Sequence, residues 1–338
     1  MKAAVLHTKQ EIRIEDLPAL EIKQNEVLVK IFSCGICGTD FHVYTGEREV
    51  KLPLIQGHEI AGKIVKVGKK VSKDLVNKRV AIEPNFSCGK CFFCKKGRHN
   101  LCENKQTLGL TLPGGFCEYI ALPQEYAWEI SEKISYDEGA LVEPLTVGLH
   151  AIERADVRVG QKIVIFGLGI IGLSLVQFAK LAGAKVCAID LINERLELAK
   201  KFGADKVFNA SIEGTTLDEK IKKWSNGYID CVFEAVGVPK VQEEAISIVR
   251  PGGKVVLVGQ SGEPMKLSSF VATRKELDII GTIACLYDFP TVIDFLDKGL
   301  INAGLLITHR FNMNQTKEAY KVIQNKEAIK VVLHCQEY

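Results

Sequence analysis

Residues able to bind a metal are concentrated between Cys34 and Glu59. The motif Cys37–His42 (Cys-Gly-Thr-Asp-Phe-His) is followed, further along, by Gly57–Glu59 (Gly-His-Glu). Thiolate, imidazole and carboxylate groups are the ligands that zinc takes in proteins. Taken alone, Cys37 is an ordinary small core residue and His58 an ordinary turn residue. Together they indicate a metal site.

A second cluster contains four cysteines in a C-x2-C-x2-C-x7-C pattern: Cys88, Cys91, Cys94 and Cys102. Each C-x2-C step lets two sulfurs converge on one ion, and four thiolates leave no open coordination position. The pattern therefore predicts a structural zinc site. The alternatives are His99 in place of Cys102 as the fourth ligand, an iron–sulfur cluster, or unrelated free thiols.

A third motif, Gly167-Leu-Gly169-Ile-Ile-Gly172, lies between an apolar strand-like run and a helical pattern, and Asp190 follows about 20 residues later. In a dinucleotide-binding turn, the first glycine permits the tight turn and the second lets the pyrophosphate approach the backbone. The third allows the helix to pack closely on the strand. The N-terminus of the helix offers free N–H groups to the phosphates.

The acidic residue after the next strand predicts the type of cofactor. Asp190 would accept hydrogen bonds from the adenosine ribose, and its charge would repel a 2′-phosphate, which favours NAD over NADP. Its alternative role is that of a helix N-cap, for which Asn193 is also available. We expect five further residues to contact the cofactor: Ile170, Ile171, Arg195, Val236 and Val258.

Composition limits the class of protein. The 338 residues are 47% hydrophobic and 25% charged, as in globular proteins, and the net charge of +3 is too small to indicate a nucleic-acid partner. No apolar segment typical of a signal peptide or a membrane span is visible. Eleven cysteines without such a signal favour metal binding and free thiols over disulfides, so we expect a cytoplasmic protein.

The pattern of apolar residues predicts two kinds of domain. Residues 1–150 contain short alternating runs separated by glycine and proline, which is typical of an all-β, barrel-like domain. Residues 151–284 alternate strand-like and helical segments, which predicts a doubly wound parallel sheet. The run Ile329–Leu333, within residues 285–338, is predicted to be a strand that returns to the β-rich domain.

A metal beside a dinucleotide site suggests alcohol oxidation. Hydride transfer from an alcohol requires loss of the hydroxyl proton, and zinc lowers the pKa of a coordinated hydroxyl. A catalytic zinc needs only three protein ligands, because one position must remain open. Cys37 and His58 are the first two, and the third is a carboxylate from Glu59 or Glu143.

The chain resembles the medium-chain zinc-dependent dehydrogenases over essentially its whole length. The resemblance rests on the four-cysteine pattern and on five motifs: Gly35–His42, Gly57–Glu59, Gly114–Tyr119, Glu143–Leu145 and Gly167–Gly172. It implies a GroES-like β-barrel catalytic domain (1–150) carrying a structural-zinc lobe (88–102), a Rossmann NAD-binding domain (151–284), and return of residues 285–338 to the catalytic domain. It also implies an active site in the cleft between the domains, and a homodimer or homotetramer.

The resemblance also implies roles for individual residues. Cys37, His58 and Glu143 match the catalytic zinc ligands of the family, with Glu59 as an additional or exchanging ligand. Cys88, Cys91, Cys94 and Cys102 match the structural zinc ligands. Thr39 and His42 match a relay that carries the substrate proton outward through the cofactor ribose. Four residues match positions that line the family's cleft: Tyr44, Phe116, Glu118 and Tyr287.

The segment beginning at Glu143 (Glu-Pro-Leu-Thr-Val-Gly-Leu-His) resembles the sorbitol and polyol dehydrogenase branch, whereas classical alcohol dehydrogenases have a cysteine ligand there. We therefore expect oxidation of a polyol or sugar alcohol by NAD⁺. The alternatives are L-threonine or butanediol as substrate, and a catalytically silent protein that binds zinc and NAD. A redox role for the pair Cys34 and Cys37 is a further alternative.

Overall fold

The computed structural model describes residues 1–286 and 288–336, with Thr215 described by its backbone only. The chain divides into two compact units. The first unit comprises Met1–Pro144 and Leu286–Tyr338, and the second comprises Leu145–Cys285. No helix in the described part of the chain is both long enough and apolar enough to cross a membrane.

The amino-terminal part of the first unit is rich in short strands. Its elements, up to the helix that crosses the unit boundary in sequence, are β1 (Lys2–Thr8), β2 (Glu11–Asp16), β3 (Glu26–Ile36), α1 (Gly38–Thr45), β4 (Leu54–Ile55), β5 (Glu59–Val67), β6 (Arg79–Ile82), β7 (Asn85–Phe86), α2 (Phe92–Lys95), β8 (Gln106–Thr107), β9 (Tyr119–Pro123), β10 (Ala127–Glu129), α3 (Tyr136–Ala140) and α4 (Val142–Ala155).

The second unit alternates strands and helices, as the sequence predicts. Its elements are β11 (Lys162–Phe166), α5 (Ile170–Leu181), β12 (Lys185–Asp190), α6 (Asn193–Lys201), β13 (Lys206–Asn209), α7 (Ala210–Glu213), α8 (Leu217–Ser225), β14 (Cys231–Glu234), α9 (Pro239–Ile248), β15 (Lys254–Leu257), α10 (Ser269–Lys275) and β16 (Asp278–Gly281). The first unit then resumes with α11 (Phe289–Asp297), β17 (Ile307–Asn312), α12 (Thr316–Gln324) and β18 (Lys330–His334).

Strand β3 organises the first unit. It pairs antiparallel with β5, β9 and β18, within a seven-stranded sheet whose main path is β10-β6-β5-β3-β18-β17. Val27, Val29 and Ile31 alternate along β3 and are fully buried, which is why this segment forms a strand in the core. Leu333 lies opposite Cys34, so the last strand, β18, pairs with β3 in the sheet of the first unit.

The second unit contains a six-stranded parallel sheet in the order β13-β12-β11-β14-β15-β16, which confirms the predicted doubly wound topology. The order reverses between β11 and β14. Ligands of such sheets bind at this reversal, outside the carboxyl ends of the strands. Both strands end there, at Phe166 and Glu234.

Several short elements were not predicted from the sequence. Helix α1 covers the Cys37–His42 motif, and α10 and β17 follow weak patterns. In α1 the buried residues are Asp40 and Val43, so there is no apolar stripe to reveal the helix.

The carboxylate of Asp137, on α3, joins three strands of the first unit. It accepts hydrogen bonds from Ser33 Oγ on β3 (2.6 Å) and Arg310 Nε on β17 (2.7 Å), and lies 3.1 Å from His334 Nε2 on β18. Burial would raise the pKa of Asp137, but the bonds from Ser33 and Arg310 outweigh it and hold the pKa below its ordinary 3.8.

We expect Asp137→Ala to lower the free energy of unfolding at neutral pH by about 1–3 kcal/mol, because the buried hydroxyl of Ser33 and the guanidinium of Arg310 lose their acceptor. A carboxylate with a lowered folded-state pKa stabilises the fold above pH 3.8, and this contribution is lost as the pH falls through the folded pKa. Urea unfolding at several pH values should therefore show a difference that shrinks below about pH 4. Asp16→Ala, at an exposed position, is the control; equal stability of the two variants at pH 7 would contradict the prediction.

Candidate metal and dinucleotide sites

Strand pairing brings the two halves of the amino-terminal metal motif together. Cys37 follows the end of β3, and Glu59 begins β5, where it pairs with Gly35 of β3. As a result, ligand atoms of Cys37, His58 and Glu59 all lie within 4.8 Å of one another. The structure thus collects a thiol, an imidazole and a carboxylate at one point.

The second predicted carboxylate, Glu143, is buried at the start of α4. Burial raises its pKa to about 7; the charge of His58 opposes this rise, and that of Glu59 adds to it. Glu143 therefore lies close enough to the cluster for their charges to interact. Glu59 belongs to the group of ligand atoms within 4.8 Å of one another, whereas Glu143 is linked to that group by the interaction of their charges.

The chemistry of this cluster fits a zinc ion. His58 Nδ1 is buried and makes no hydrogen bond within the described residues, and the nearest carboxylate oxygen, Asp40 Oδ1, is 3.5 Å away. Burial would lower the pKa of His58, but Asp40 and Cys37 raise it well above its ordinary value. A buried imidazole with a thiol and several carboxylates around it is a donor set that a divalent cation would stabilise.

Asp40 holds the two ligand segments in register, a role that the sequence analysis did not assign. Its Oδ2 accepts the backbone N–H of Cys37 (2.9 Å), and its Oδ1 accepts that of Gly57 (3.1 Å). Gln56 Nε2 donates to the main-chain oxygen of Asp40 (2.9 Å), and Tyr320 donates its hydroxyl proton to Gln56 Oε1 (2.9 Å). Asp40 is the third residue (N3) of helix α1, counted from its N-cap, Cys37. An acidic residue at N3 is the feature of the sequence that could have indicated this role.

Lys330 is the other residue that the sequence analysis missed. Its ammonium group donates to both carboxylate oxygens of Glu59, at 2.6 and 2.8 Å, and to the main-chain oxygen of Ile36 at 3.0 Å. The lysine and glutamate side chains are 2% and 0% exposed, so this is a fully buried ion pair. Gly35 leaves room for it, because a Cβ at that position would lie 1.9 Å from Glu59 Oε2.

The predicted proton-relay residues share helix α1. Thr39 is half-buried, whereas His42 is exposed three residues later, on the same face of the helix. His42 Nδ1 lies 2.6 Å from Glu47 Oε2. Thr39 is thus the less exposed of the two predicted relay residues.

The predicted substrate-lining residues have other contacts in the structure. Tyr44 stacks on Tyr320 with ring centroids 4.2 Å apart, and Phe116 is fully buried in the core of the first unit. Glu118 Oε2 accepts the backbone N–H of Lys2 at 2.7 Å. Tyr287 lies outside the described residues. Contacts within the protein are therefore sufficient to explain the positions of Tyr44, Phe116 and Glu118.

The four-cysteine lobe is assembled around one point, with the sulfurs of Cys88, Cys91, Cys94 and Cys102 within 4.8 Å of one another. Backbone N–H groups of Lys90 and Cys91 lower the pKa of Cys88 to about 6, which favours the thiolate that a metal requires. His99 Nδ1 instead lies 3.0 Å from Ser87 Oγ. The geometry favours four thiolates over a set containing His99.

The glycine turn of the second unit leaves space for a ligand. Gly167 has φ of +85°, and a Cβ at Gly172 would lie 1.8 Å from the oxygen of Gly167. Both positions therefore require glycine for the fold. A Cβ at Gly169 would meet nothing within 4 Å, so protein packing does not explain that glycine. Close approach of a phosphate to the N-terminus of α5 does explain it.

Asp190, at the end of β12, joins this turn to the next loop. Its carboxylate accepts backbone N–H groups of Leu168 (2.6 Å), Leu191 (2.7 Å) and Ile192 (2.9 Å), and Arg195 Nη1 lies 3.8 Å away. The N-cap residue of α6 is Ile192, so Asp190 is not the helix cap. The carboxylate is held beside the glycine turn.

The remaining predicted cofactor residues surround the same edge of the sheet. Ile170 and Ile171 open α5 and are half-buried. Val236 is 46% exposed, and its Cγ2 lies 2.7 Å from the position that a Cβ on Gly167 would occupy. Val258 follows β15 and is half-buried.

Loss of the ammonium group of Lys330 would leave Glu59 as an unpaired buried charge. We expect Lys330→Met to lower the free energy of unfolding of the zinc-free protein by about 3–5 kcal/mol, measured with urea. Lys330→Arg keeps the charge and should lose less. Lys66→Met replaces an exposed lysine of β5 and is the control. If Lys330→Met were no less stable than Lys66→Met, the ion pair would not stabilise the fold.

Comparison with known proteins adds an independent line of evidence. Residues 23–132 match the model of the alcohol dehydrogenase GroES-like domain, and residues 171–298 match that of the zinc-binding dehydrogenase. The chain is 40% identical to a sorbitol dehydrogenase of Bacillus subtilis (strain 168), over 99% of this chain and 97% of that protein.

Solved structures agree. An alcohol dehydrogenase of E. coli CFT073 complexed with NADH is 32% identical, with a TM-score of 0.93 over 99% of each chain. A 2R,3R-butanediol dehydrogenase of Bacillus subtilis is 30% identical, with a TM-score of 0.91 over 98% of this chain and 99% of that one.

These similarities confirm the resemblance found in the sequence, the combination of a GroES-like domain with a Rossmann sheet, and zinc and NAD as cofactors. They extend over almost the whole length of the chain. They include the segments that carry the Cys37–Glu59 motif, the four-cysteine lobe and the glycine turn. The chain belongs to the family of medium-chain zinc-dependent alcohol dehydrogenases.

Proposed function

We propose that the protein is a zinc-dependent dehydrogenase that oxidises a secondary alcohol of the polyol or sugar-alcohol class, with NAD⁺ as hydride acceptor. The observation that carries the proposal is the meeting of Cys37, His58 and Glu59 within 4.8 Å, with Glu143 buried nearby. A thiol and an imidazole with acidic partners suit a zinc ion that keeps a position for substrate.

In this proposal Cys37 and His58 hold the catalytic zinc, together with Glu59 or Glu143. When bound, the zinc would act as a Lewis acid that lowers the pKa of the substrate hydroxyl. Asp40 positions the first two ligands through its bonds to the backbone of Cys37 and Gly57. The lobe formed by residues 88–102 would hold a second, structural zinc through its four cysteines.

The proton leaves along helix α1. Thr39 is half-buried and accepts the substrate proton, and the exposed His42 delivers it to solvent. At the outer end of this path, His42 Nδ1 lies 2.6 Å from Glu47 Oε2. In this arrangement the half-buried hydroxyl of Thr39 would take part in proton removal, and the exposed imidazole of His42 would exchange the proton with water.

The second unit binds the dinucleotide. The pyrophosphate lies at the Gly167–Gly172 turn and the start of α5, and Asp190 accepts the adenosine ribose hydroxyls. Arg195, near Asp190, would lie along the adenosine end, and Ile170, Ile171, Val236 and Val258 provide apolar contact. The negative charge of Asp190 disfavours a 2′-phosphate, so NAD is preferred over NADP.

We further propose that the protein is a cytoplasmic homo-oligomer, a dimer or a tetramer. Strand β16 is the edge of the six-stranded sheet, and the exposed side chains of Leu267, Phe270 and Ile283 lie near it in sequence. An edge strand with exposed apolar residues nearby is suited to pairing with a second copy. Four reduced thiols in the lobe suit a reducing compartment. Light scattering of the purified protein measures the oligomeric state.

Metal analysis separates the two zinc sites. We expect the purified protein to contain two zinc ions per chain, and Cys37→Ala to contain one, with kcat reduced at least about a hundredfold. Cys94→Ala should also contain one zinc ion. Because the ion lost in this variant is the structural one, residues 88–102 should become susceptible to protease cleavage. Cys231→Ala, at a buried thiol of the second unit, should keep both ions. NAD-linked activity that survives in Cys37→Ala would refute a catalytic role for this metal.

A substrate panel tests the alcohol class. We expect kcat/KM for sorbitol, xylitol or an inositol, followed by NADH absorbance, to exceed that for 2,3-butanediol and L-threonine at least about tenfold. A sorbitol dehydrogenase is 40% identical, whereas the butanediol dehydrogenase is 30% identical. A preference for butanediol or threonine would contradict the polyol assignment but keep the reaction type. Zinc and NADH binding without oxidation of any alcohol would favour a silent binding protein.

A further inference from the structure

Glu234 is a buried carboxylate at the point where the order of the parallel sheet reverses. It is the last residue of β14, pairs with Phe166 of β11, and is fully buried. Among the described residues, no cation lies within 4 Å of it as an ion-pair partner. Burying a carboxylate is costly unless hydrogen bonds satisfy it. The two carboxylate oxygens differ: Oε1 accepts hydrogen bonds, whereas Oε2 is buried and makes none with the described residues.

The hydrogen-bond partners of Glu234 belong to the two loops that follow β14 and β15. The side-chain Oε1 of Glu234 accepts the backbone N–H groups of Val236 (2.7 Å) and Gly237 (2.8 Å). Its main-chain oxygen accepts the N–H groups of Val258 and Gly259, both at 2.9 Å. One residue thus holds the turn at 235–237 and the start of the loop at 258–260.

The two loops are packed too closely to move independently. A Cβ on Gly259 would lie 2.2 Å from the backbone nitrogen of Gly237, and a Cβ on Gly237 would lie 2.5 Å from the oxygen of Gln260. Val236 in turn packs against Gly167, the first glycine of the phosphate-binding turn. Displacement of the 235–237 turn would therefore disturb three segments at the edge where the dinucleotide is expected.

We infer that Glu234 is a positioning residue of the dinucleotide site. Its carboxylate fixes the turn that carries Val236, and its main-chain oxygen fixes the start of the loop that carries Val258. Both segments are therefore in place before the cofactor binds. Preorganisation of this kind improves affinity by removing the cost of ordering loops on binding. The inference rests on the proposed binding of NAD at this edge of the sheet.

The inference is tested by measuring the Kd of NADH by fluorescence titration of zinc-loaded enzyme. Glu234→Ala removes the acceptor of the N–H groups of Val236 and Gly237 and should weaken NADH binding at least about tenfold. Glu234→Gln keeps an oxygen at the same reach and should bind NADH within about threefold of wild type. Glu234→Asp keeps the charge but is one methylene too short, so it should resemble the alanine variant.

Two comparisons separate a positioning role from general stabilisation. Asp205→Ala removes a carboxylate that accepts the backbone N–H of Val186 (2.7 Å) at the amino end of β12, the opposite edge of the same sheet, and it should leave the Kd of NADH unchanged. In Glu234→Ala, KM for NAD⁺ should rise by the same factor as Kd, while zinc content and KM for the alcohol remain at wild-type values.

Wild-type NADH affinity in Glu234→Ala would overturn the inference. Rescue by aspartate but not glutamine would also overturn it, because charge rather than reach would then be decisive. Failure of the wild-type protein to bind NADH would instead refute the proposed function. If Glu234→Ala does not fold, the contrast between the glutamine and aspartate variants still decides the question.

Discussion

The ion pair between Glu59 and Lys330 is the constraint on which the proposed metal site depends. Glu59 lies close to Cys37 and His58, but strand pairing places it in the core of a sheet, where an isolated carboxylate would be strongly disfavoured. The lysine on β18 supplies the compensating charge. Gly35 supplies the space by lacking a side chain. The need for this space explains why a glycine occupies position 35, and the motif alone does not reveal it.

Acidic groups hold both proposed sites in place, and each does so by accepting backbone N–H groups. Asp40 joins the segments around Cys37 and Gly57 in the first unit. Asp190 joins the glycine turn to the loop after β12 in the second. Carboxylates suit this task because their two oxygens can accept several N–H groups from different segments. A loop held in this way is ordered without a ligand, which reduces the entropy lost when one binds.

The sequence was most informative where a local pattern implies a local geometry. Strand, glycine turn and helix follow one another around Gly167, and the four cysteines between Cys88 and Cys102 need only short-range chain reversal to meet. The alternation of strands and helices was sufficient to predict the doubly wound sheet. These features depend on spacing, and spacing can be seen in a single sequence.

Features that depend on distant parts of the chain could not be predicted in this way. Nothing near Lys330 in the sequence indicates that it pairs with Glu59, since strands β5 and β18 are joined only through β3. Tyr320 reaches Gln56 for the same reason, through a helix far along the chain. Phe116 and Tyr44 matched positions that line a substrate site by resemblance, but their burial and stacking depend on neighbours that no local pattern reveals.

The discontinuity of the first unit has a consequence for biosynthesis. A ribosome completes Leu145–Cys285, an uninterrupted stretch, before it makes β18. Until then, the nascent segment that contains Cys37, His58 and Glu59 lacks β18, the strand that carries the lysine partner of Glu59. The second unit can fold during translation, because domains generally fold as units in order of synthesis. Glu59, which is made early in translation, must therefore wait for Lys330, which is made late.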